Sequence, residues 1–517
     1  MKNLPIGIQT LSQIRAKNCV YVDKTRLIHQ IVTTGTYYFL SRPRRFGKSL
    51  LISTLKELYE GNKVLFEGLW IEPHWDWSKT KPVLHFSFDD MSYKQLGLEE
   101  AIVQELKKLA KKYQIDLLTT DYKSQFKELI ENLALTHGQV VLLVDEYDKP
   151  IIDFLEKDDI EKAKLNRDIL REFYGVLKNA DNLLELVFIT GISKFAKVSL
   201  FSHLNNLDDI TLMEEYATIT GYTEEELVTY FADYLDIIAK KLNLTHEQLL
   251  ENMRAWYDGY SWDGESRLYN PFGTLKFLRN KRFENFWFAT GSPQFLIQQM
   301  RKITFFNVEN AHINNRILEK YDIENLELIP LLFQTGYLTV KSIDAMTGNM
   351  VLDYPNREVR ESIYEFLIDD VAKNPLRIHT GMTIEDLKKA FITRDLPKVK
   401  TILNSLLGDL PVETFSHQTE GLYHGLIHLV FKYLGLYVNS EVHSSRGHAD
   451  SVVQTLTDVY IFEFKFNKTA QEGLEQIKKQ DYAAPYRASD KMITAIGVNF
   501  NSDKDKKGID DWLEEVL

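Results

Sequence analysis

The sequence predicts an α/β protein of several domains, and three observations support this fold class. The 517 residues are too many for one hydrophobic core, because domains average about 150 residues. Over about the first 200 residues, short apolar runs alternate with amphipathic stretches, which is typical of a parallel sheet covered by helices. Strands and helices alternate again over about the last 100 residues. We therefore expect an α/β domain at each end of the chain.

Composition and charge restrict the classes of function. Hydrophobic residues make up 44% of the chain and charged residues 26%, as in ordinary folded soluble proteins, so global disorder is excluded. The chain has 62 Lys and Arg against 74 Asp and Glu, a formal net charge of -12. A broadly basic surface for nucleic acid or membranes is therefore excluded, and such a partner must be held by a local patch.

Cysteine content and apolar patterning bear on the compartment. The single cysteine, Cys19, excludes an internal disulfide framework and a Cys-based zinc site. The N-terminus lacks the basic-then-apolar layout of a signal peptide, and no run of about 18 apolar residues is present. These features predict a cytoplasmic protein without a membrane partner.

The coarse pattern predicts four domains. Strands are expected at 37–40, 83–88, 140–144 and 186–190, with helices at 50–59, ending at Gly61, and at 99–113. Residues 223–300 are helical and aromatic, with a turn-rich interruption at 256–264. Within 321–365 a short helix, LIPLLFQTG, is followed by the runs LTV and MVLDYPN, which together predict a winged-helix-like unit. A helical segment at 383–410 follows it. The predicted domains are 1–215, 216–315, 316–415 and 416–517.

A phosphate-binding loop is predicted between the first strand and the helix that follows it. Residues 42–49 read RPRRFGKS. In such loops backbone N–H groups cradle phosphates, a Lys reaches the β and γ oxygens, and a Ser ligates Mg²⁺. Lys48 and Ser49 match the last two roles. The residues assigned to nucleotide binding in this loop are Arg44, Arg45, Phe46, Gly47, Lys48 and Ser49.

The loop is irregular at Arg42, where the usual pattern has Gly. The first turn must then close without a residue free to adopt positive φ. Arg42, Arg44 and Arg45 are candidates for contact with phosphates or a second subunit, although exposed arginines are more often solvated. A chance GKS at a helix start is the alternative interpretation of the motif.

A pair of acids at a strand end favours nucleotide binding. The apolar run at 140–144 ends in Asp145 and Glu146, an arrangement in which the Asp holds Mg²⁺ and the Glu polarises the attacking water. Adjacent acids also occur in solvated loops, and residues 147–150 are interpreted as such a loop. Thr190 ends a later strand, where related ATPases sense the γ-phosphate.

A strand near the C-terminus contains candidate catalytic residues. In residues 458–466, DVYIFEFKF, alternation places the aromatic side chains on one face and Glu463 and Lys465 on the other. So apolar a strand is expected at the centre of its sheet, where burying Glu463 and Lys465 is costly unless they are paired or bind something. A two-residue turn at 456–457 then predicts that Asp450 lies directly across from Glu463.

Two carboxylates and an amine predict phosphodiester chemistry. Asp450 and Glu463 would hold Mg²⁺, which lowers the pKa of the attacking water, and Lys465 would orient that water or stabilise the developing charge. A simple cross-strand ion pair is the alternative. The element order from about residue 420, helix, three strands, helix, strand, is that of the restriction-endonuclease-like fold. Candidates for accessory roles are Glu420, Gln476 and Tyr482.

Several motifs of this chain are similar to those of one known family. They are LPIGIQ (4–9), YVDKT (21–25), RPRRFGKS (42–49), VDEYDKP (144–150), TGISKF (190–195), YNP (269–271), YPN (354–356), GHAD (447–450) and EFK (463–465). The chain resembles bacterial AAA-ATPase-like proteins with a C-terminal PD-(D/E)XK nuclease-superfamily domain, and Arg42 belongs to that family's own loop. The resemblance implies a P-loop ATPase of the additional-strand, catalytic-glutamate type, a helical lid, a winged-helix-like segment and a Mg²⁺-dependent nuclease. Lys194 stands where the family often has Arg.

These inferences predict a protein that binds and hydrolyses ATP and cleaves nucleic acid, with DNA as the expected substrate. ATP and Mg²⁺ are the expected cofactors, and a homo-oligomer is expected. One alternative is an ATP-switched sensor or scaffold whose nuclease-like domain binds nucleic acid or protein without cleavage; another is a protein that binds nucleotide without turnover. Residues 416–517 carry 11 Lys and Arg against 15 Asp and Glu, so DNA must approach through a local groove, the metals or basic faces elsewhere. Candidate basic faces, each of which also fits ordinary solvated surface, are Lys107, Lys108, Lys111 and Lys112, and Arg279, Lys281 and Arg282.

Overall fold

The described part of the chain divides into two units. The computed structural model describes residues 1–155, 159–193, 200–201, 204, 206–287, 308–314, 327–372, 380–408, 427, 429–434, 437–444, 447–501 and 508–517. The first unit contains the described residues up to 287 together with 308–359, and the second contains those from 360 onward. The predicted division into four domains is finer than this and stays a prediction.

Five parallel strands form the sheet of the first unit. They are β1 (Tyr37–Ser41), β2 (Val83–Ser87), β3 (Val140–Asp145), β4 (Leu184–Gly191) and β5 (Asp208–Asp209). Their order is β2-β3-β4-β1-β5, and each neighbouring pair is parallel. The additional strand β4 lies between β1 and β3, as predicted for this type of ATPase sheet. The carboxyl ends of all three strands therefore meet at one edge.

Helices cover this sheet and form the module that follows it. They are α1 (Leu11–Ala16), α2 (Thr25–Thr34), α3 (Lys48–Tyr59), α4 (Tyr93–Leu96), α5 (Leu98–Lys112), α6 (Tyr122–His137), α7 (Lys149–Ile152), α8 (Ile160–Gly175), α9 (Glu224–Tyr230), α10 (Ala232–Leu242), α11 (His246–Tyr257) and α12 (Pro271–Asn280). Helix α3 ends just before Gly61, as predicted. Gly61 adopts a left-handed φ of +77°, which a residue without a Cβ accommodates without strain. None of the helices in the described ranges is long and apolar enough to cross a bilayer.

Helices α9 to α12 build the predicted helical module around one apolar core. Phe231, Leu235, Leu249 and Met253 are buried in this core. Thr223 and Thr245 begin α9 and α11 with reciprocal capping boxes, which satisfy N–H groups that a helix end leaves free. The helical character predicted for this region is therefore confirmed over the described residues.

A small antiparallel sheet completes the first unit. Helix α13 (Leu328–Gln334) precedes a hairpin of β7 (Thr339–Ile343) and β8 (Asn349–Asp353), and β6 (Ala311–Asn314) pairs with β8. The helix and hairpin agree with the predicted elements, whereas β6 was not predicted. The winged-helix-like assignment itself stays a prediction.

Three helices lead through the second unit toward its sheet. Helix α14 (Arg357–Ala372) begins in the first unit, and α15 (Thr380–Ile392) and α16 (Leu396–Gly408) follow. The helical segment predicted at 383–410 is confirmed over the described residues, although the helix is interrupted between α15 and α16. Arg394 adopts φ = +60° at the break, and Asp395 accepts a hydrogen bond from the backbone of Lys398 in the new helix.

A five-stranded mixed sheet forms the end of the chain. Its elements are β9 (Tyr437–Ser444), β10 (Gly447–Gln454), β11 (Asp458–Phe466), α17 (Ala470–Lys479), β12 (Met492–Phe500) and β13 (Ile509–Val516). The order is β13-β12-β11-β10-β9, so β11 is central, as predicted. Only the β11–β12 pair is parallel. Strand β13 was not predicted.

The two faces of β11 carry different cores. Tyr460 and Phe462 contact Phe391 on one face. Ile461 packs with Leu474 of α17 on the other. This alternation is the one predicted from the sequence, and it turns Glu463 and Lys465 toward the face that α17 covers.

Candidate active sites

The phosphate loop connects β1 to α3 at the carboxyl edge of the parallel sheet. Arg45 and Gly47 adopt positive φ angles of +68° and +88°, so these two residues, rather than Arg42, make the left-handed turns. Lys48 is buried, and its Nζ donates to the carbonyl oxygens of Arg42 (2.9 Å) and Pro43 (3.0 Å). Burial lowers the pKa of Lys48.

Arg42 is a structural residue. Its fully buried guanidinium donates to the carbonyl oxygens of Ser41 (2.9 Å) and Thr211 (2.8 Å), and it lies 4.1 Å from the ring centroid of Trp262. Burial lowers the pKa of Arg42 to about 9. The expectation that Arg42 contacts phosphate, a second subunit or solvent is therefore wrong, because its side chain is used to hold the loop.

The other loop residues differ in what they offer a nucleotide. Arg44 is exposed beside the loop. The Arg45 guanidinium is engaged with main-chain carbonyls, and the Phe46 ring is buried against Tyr260 and Trp262. The Arg45 and Phe46 side chains are therefore held by contacts within the protein, and the nucleotide-binding role predicted for these two residues stays a prediction.

The acids at the end of β3 lie beside this loop. Asp145 is 5% exposed and accepts a hydrogen bond of 2.8 Å from Thr190 Oγ1. Glu146 adopts φ = +54°, and burial raises the pKa of its carboxyl group. Both carboxylates oppose the lowering of the Lys48 pKa. The residues predicted from separate motifs thus share one electrostatic environment.

The segment after Glu146 is not the solvated loop that was expected. Tyr147 and Asp148 are fully buried. Tyr147 donates through its hydroxyl to the carbonyl of Ser193 (2.9 Å), and Asp148 accepts from the backbone N–H groups of Ile192 (3.1 Å) and Ser193 (2.7 Å) and from the Ser193 hydroxyl. These bonds fasten the end of β3 to the end of β4. Sequence reasoning missed Asp148, although an aromatic residue next to it was a signal for burial.

A cavity of about 370 Å³ opens beside the phosphate loop. Gly47, Lys48, Ser49 and Glu146 line its polar end. Its apolar wall comes from the motif segments 4–9 and 21–25 and from α12, for which sequence reasoning assigned no site. The wall residues include Ile8, Val22, Ile219, Phe272 and Leu275.

The C-terminal carboxylates meet in the predicted register. Ser451 lies opposite Phe462, and the same register sets Asp450 opposite Glu463. Asp450 Oδ2 accepts a hydrogen bond of 2.7 Å from the backbone N–H of Phe464. Glu463 is 2% exposed, and burial together with the Asp450 charge raises its pKa to about 7.

A polar chain runs from Glu463 to α17 and beyond. Lys465 Nζ donates to Glu463 Oε1 (2.8 Å) and to Gln476 Oε1 (2.8 Å), and Gln476 Nε2 donates to the Tyr482 hydroxyl (3.3 Å). The structure therefore brings two of the three proposed accessory residues, Gln476 and Tyr482, to this site. The third, Glu420, lies outside the described residues.

The donor atoms of this site fit a hard divalent cation. Glu463 Oε2 is buried and has no hydrogen-bond partner within the described ranges. The Asp450 carboxylate lies opposite it on the neighbouring strand β10. Mg²⁺ is commonly held by one or two carboxylates, with water or phosphate completing its shell. Among the described residues no cluster of three or more His, Cys, Asp or Glu side chains suits a metal, so a cation here would have two carboxylate ligands from these residues. The alternative was a simple cross-strand Glu–Lys or Asp–Lys ion pair. An ion pair does join Lys465 to Glu463 (2.8 Å), but along β11 rather than across strands, and it uses only one of the two Glu463 oxygens.

Comparisons with known proteins decide the family. Residues 5–201 match the family described as "Predicted AAA-ATPase", and residues 418–509 match the PD-(D/E)XK nuclease superfamily. The chain is also similar to an "Uncharacterized protein in vnfD 5'region" of Azotobacter chroococcum mcd 1, at 37% identity over 517 residues and 97% of each chain. The chain belongs to the AAA-ATPase-like proteins with a PD-(D/E)XK nuclease-superfamily domain. This confirms the resemblance seen in its motifs.

The AAA-ATPase-like domain depends on the buried Asp148. Replacing Asp148 with Ala leaves three donors of the β4 end without their acceptor, and we expect a loss of about 3–5 kcal/mol in unfolding free energy. Ser193→Ala removes only one donor and should cost about 1 kcal/mol. Urea unfolding followed by tryptophan fluorescence measures both losses. Equal losses in the two variants would contradict the role given to Asp148.

The PD-(D/E)XK domain depends on a close helix–sheet contact. A Cβ on Gly497 of β12 would lie 2.0 Å from the carbonyl oxygen of Ala470 in α17. Gly497→Ala must therefore push α17, which carries Gln476, away from the sheet, at a cost of about 3 kcal/mol. Gly175→Ala is the control, since a Cβ there meets nothing within 4 Å. Thermal unfolding should show a lower midpoint for the first variant only; an unchanged midpoint would contradict the close contact.

Proposed function

We propose that this chain binds and hydrolyses ATP and that its C-terminal domain cleaves phosphodiester bonds of nucleic acid, with DNA as the substrate. The observation that carries the proposal is the pairing of two carboxylates with one lysine, which the described residues show in each α/β domain. Asp145 and Glu146 share the environment of Lys48, and Asp450 and Glu463 accompany Lys465. Both constellations suit phosphate chemistry assisted by Mg²⁺.

The geometry of the first domain supports a nucleotide whose base lies along the apolar wall of the cavity. Its phosphates would take the place of the loop carbonyls as acceptors for Lys48. Ser49 and Asp145 would hold Mg²⁺, which neutralises charge on the phosphates. Thr190 keeps Asp145 in position through its hydrogen bond. Glu146 would orient the attacking water and take up its proton.

The geometry of the C-terminal domain supports metal-assisted hydrolysis. Asp450 and Glu463 would hold Mg²⁺, which supplies a water of lowered pKa and polarises the phosphate. Since the pKa of Glu463 is about 7, this carboxyl group gives up a proton when it becomes a ligand. Lys465 would stabilise the developing negative charge. Gln476, which donates a hydrogen bond to Tyr482, positions the Lys465 amine by accepting a hydrogen bond from it.

The charge distribution bears on how DNA approaches. On the α5 face Lys108 pairs with Glu105 (3.1 Å) and Lys112 with Glu60 (2.8 Å), so this basic face is partly neutralised. Arg282 likewise pairs with Glu284 (2.9 Å). These ion pairs favour approach of DNA at the metal site itself rather than through either face. The proposal also includes a cytoplasmic homo-oligomer, which sedimentation with and without ATP would detect.

Purified full-length protein tests the proposal directly. It would be incubated with ATP and Mg²⁺ and with supercoiled plasmid, linear DNA, single-stranded DNA or RNA, with EDTA in a parallel reaction. Cleavage that requires Mg²⁺ and phosphate release from ATP are the expected results. Salt-sensitive DNA binding without cleavage would favour the sensor or scaffold instead. Absence of both nucleotide binding and cleavage would overturn the proposal.

A further inference from the structure

Arg45 ties the phosphate loop to a short segment of the helical module. Its Nη1 donates to the carbonyl oxygens of Phe286 (3.1 Å) and Trp287 (3.3 Å). The guanidinium also lies 4.0 Å from the ring centroid of Phe272, at the start of α12. Because Arg45 holds a left-handed φ of +68°, which costs a non-glycine residue free energy, these contacts stabilise a strained loop conformation.

Glu358 binds the same segment, residues 286–287, through their backbone amides. This carboxyl group is fully buried, and its Oε1 accepts hydrogen bonds from the backbone N–H groups of Phe286 (2.6 Å) and Trp287 (3.0 Å). The same two residues therefore offer their carbonyls to Arg45 and their amides to Glu358. Burial raises the pKa of Glu358 to about 7, and the charge of Arg45 opposes this shift.

Glu358 connects these contacts to the part of the chain that follows. Glu358 is the second residue of α14, and α14 continues from the first unit into the second. The PD-(D/E)XK domain follows later in that second unit. A displacement of residues 286–287 would therefore act on the start of a helix that leads toward the nuclease-like part of the chain.

We propose that Arg45, the segment 286–287 and Glu358 form a mechanical link through which the state of the phosphate loop is passed to helix α14. The link rests on the proposed function in one respect, since nucleotide is the signal that changes the loop. Phosphates bound to the main chain around Arg45 shift the loop, and the Arg45 side chain transfers this shift to residues 286–287. The hydrogen bonds that Glu358 accepts from residues 286–287 then lengthen or shorten, and this changes the stability of the first turn of α14. Arg45 and Glu358 are positioning residues and do not contact the reacting atoms.

Hydrogen–deuterium exchange of the full-length protein tests the link, first in the absence of nucleotide. Exchange would be followed by mass spectrometry in peptides covering 42–49, 280–287 and 357–367. Arg45→Ala should speed exchange by about tenfold in the 357–367 peptide, and Glu358→Ala should do the same in the 42–49 peptide. The milder variants Arg45→Lys and Glu358→Gln serve if either alanine variant unfolds. Arg282→Ala is the matched control, because this exposed arginine lies in the 280–287 peptide and pairs only with Glu284 in the described contacts.

A second arm adds a nonhydrolysable ATP analogue and Mg²⁺. In the unmodified protein the analogue should slow exchange in both the 42–49 and 357–367 peptides by about tenfold, and in Arg45→Ala only in the first. If each alanine variant alters exchange only around its own side chain, the link is overturned. If the variants show the reciprocal effect but the analogue changes nothing in the unmodified protein, the link stands and the proposed ATP binding fails.

Discussion

Glu146→Gln is expected to stop ATP hydrolysis while ATP stays bound. The amide has the shape of the carboxyl group but cannot accept a proton from water, and loss of a general base typically lowers a rate by about 10²–10⁴-fold. Release of inorganic phosphate measures turnover, and a fluorescent ATP analogue measures binding. Since burial raises the pKa of Glu146, ATP hydrolysis by the unmodified protein should become faster as pH rises through that shifted pKa, where the carboxylate forms.

Lys48→Ala is the complementary variant for this site. Lys48 is buried against the loop, and its loss should weaken ATP binding as well as turnover, so the two variants separate binding from chemistry. Hydrolysis that persists in Glu146→Gln would contradict the role assigned to Glu146. If the unmodified protein shows no hydrolysis with or without DNA, the chain binds nucleotide without turnover, which is the alternative left open by the irregular loop.

Much of the fold was predictable because its signals are local. The strand VVLLV is apolar throughout, as a strand covered on both faces must be, and it was found as β3. Asp145 and Lys48 could be placed together in advance because the carboxyl ends of parallel strands meet at one edge. Across β10 and β11, a two-residue turn determines the register, so the partner of Glu463 followed from counting residues.

What was missed depends on contacts distant in sequence. The guanidinium of Arg42 is bound by Thr211 and stacks on Trp262, and no local pattern around Arg42 announces either partner. Asp148 looked like a loop residue because acids are usually exposed, yet its three donors come from the end of β4. Strand β13 was missed for another reason: its sequence IDDWLEEV is acidic, and most of its side chains are exposed, so periodicity gives little signal.

Asp450→Ala and Glu463→Ala are each expected to abolish DNA cleavage. Even partners that only support a metal ligand typically change affinity or activity by 10–100-fold, so loss of one of two carboxylate ligands should reduce cleavage by at least about 100-fold. Conversion of supercoiled plasmid to nicked or linear forms measures the rate. Glu475→Gln is the matched control, since this exposed acid of α17 accepts a hydrogen bond only from Gln471 in the described contacts. Undiminished cleavage in both alanine variants would remove the site assignment.

A stability measurement separates metal binding from catalysis at the same site. The pKa of Glu463 is about 7 when folded, above its ordinary value of 4.5, so the folded state binds this proton more tightly than the unfolded state. Its contribution to stability is therefore present at low pH and is lost as pH rises through about 7, where the buried carboxylate must carry its charge. Without metal, Glu463→Gln should raise the unfolding midpoint at pH 8 more than at pH 5. Added Mg²⁺ should then stabilise the unmodified protein at pH 8 more than it stabilises Glu463→Gln, because the Glu463 carboxylate is already charged at this pH and is a stronger ligand for the ion than the amide.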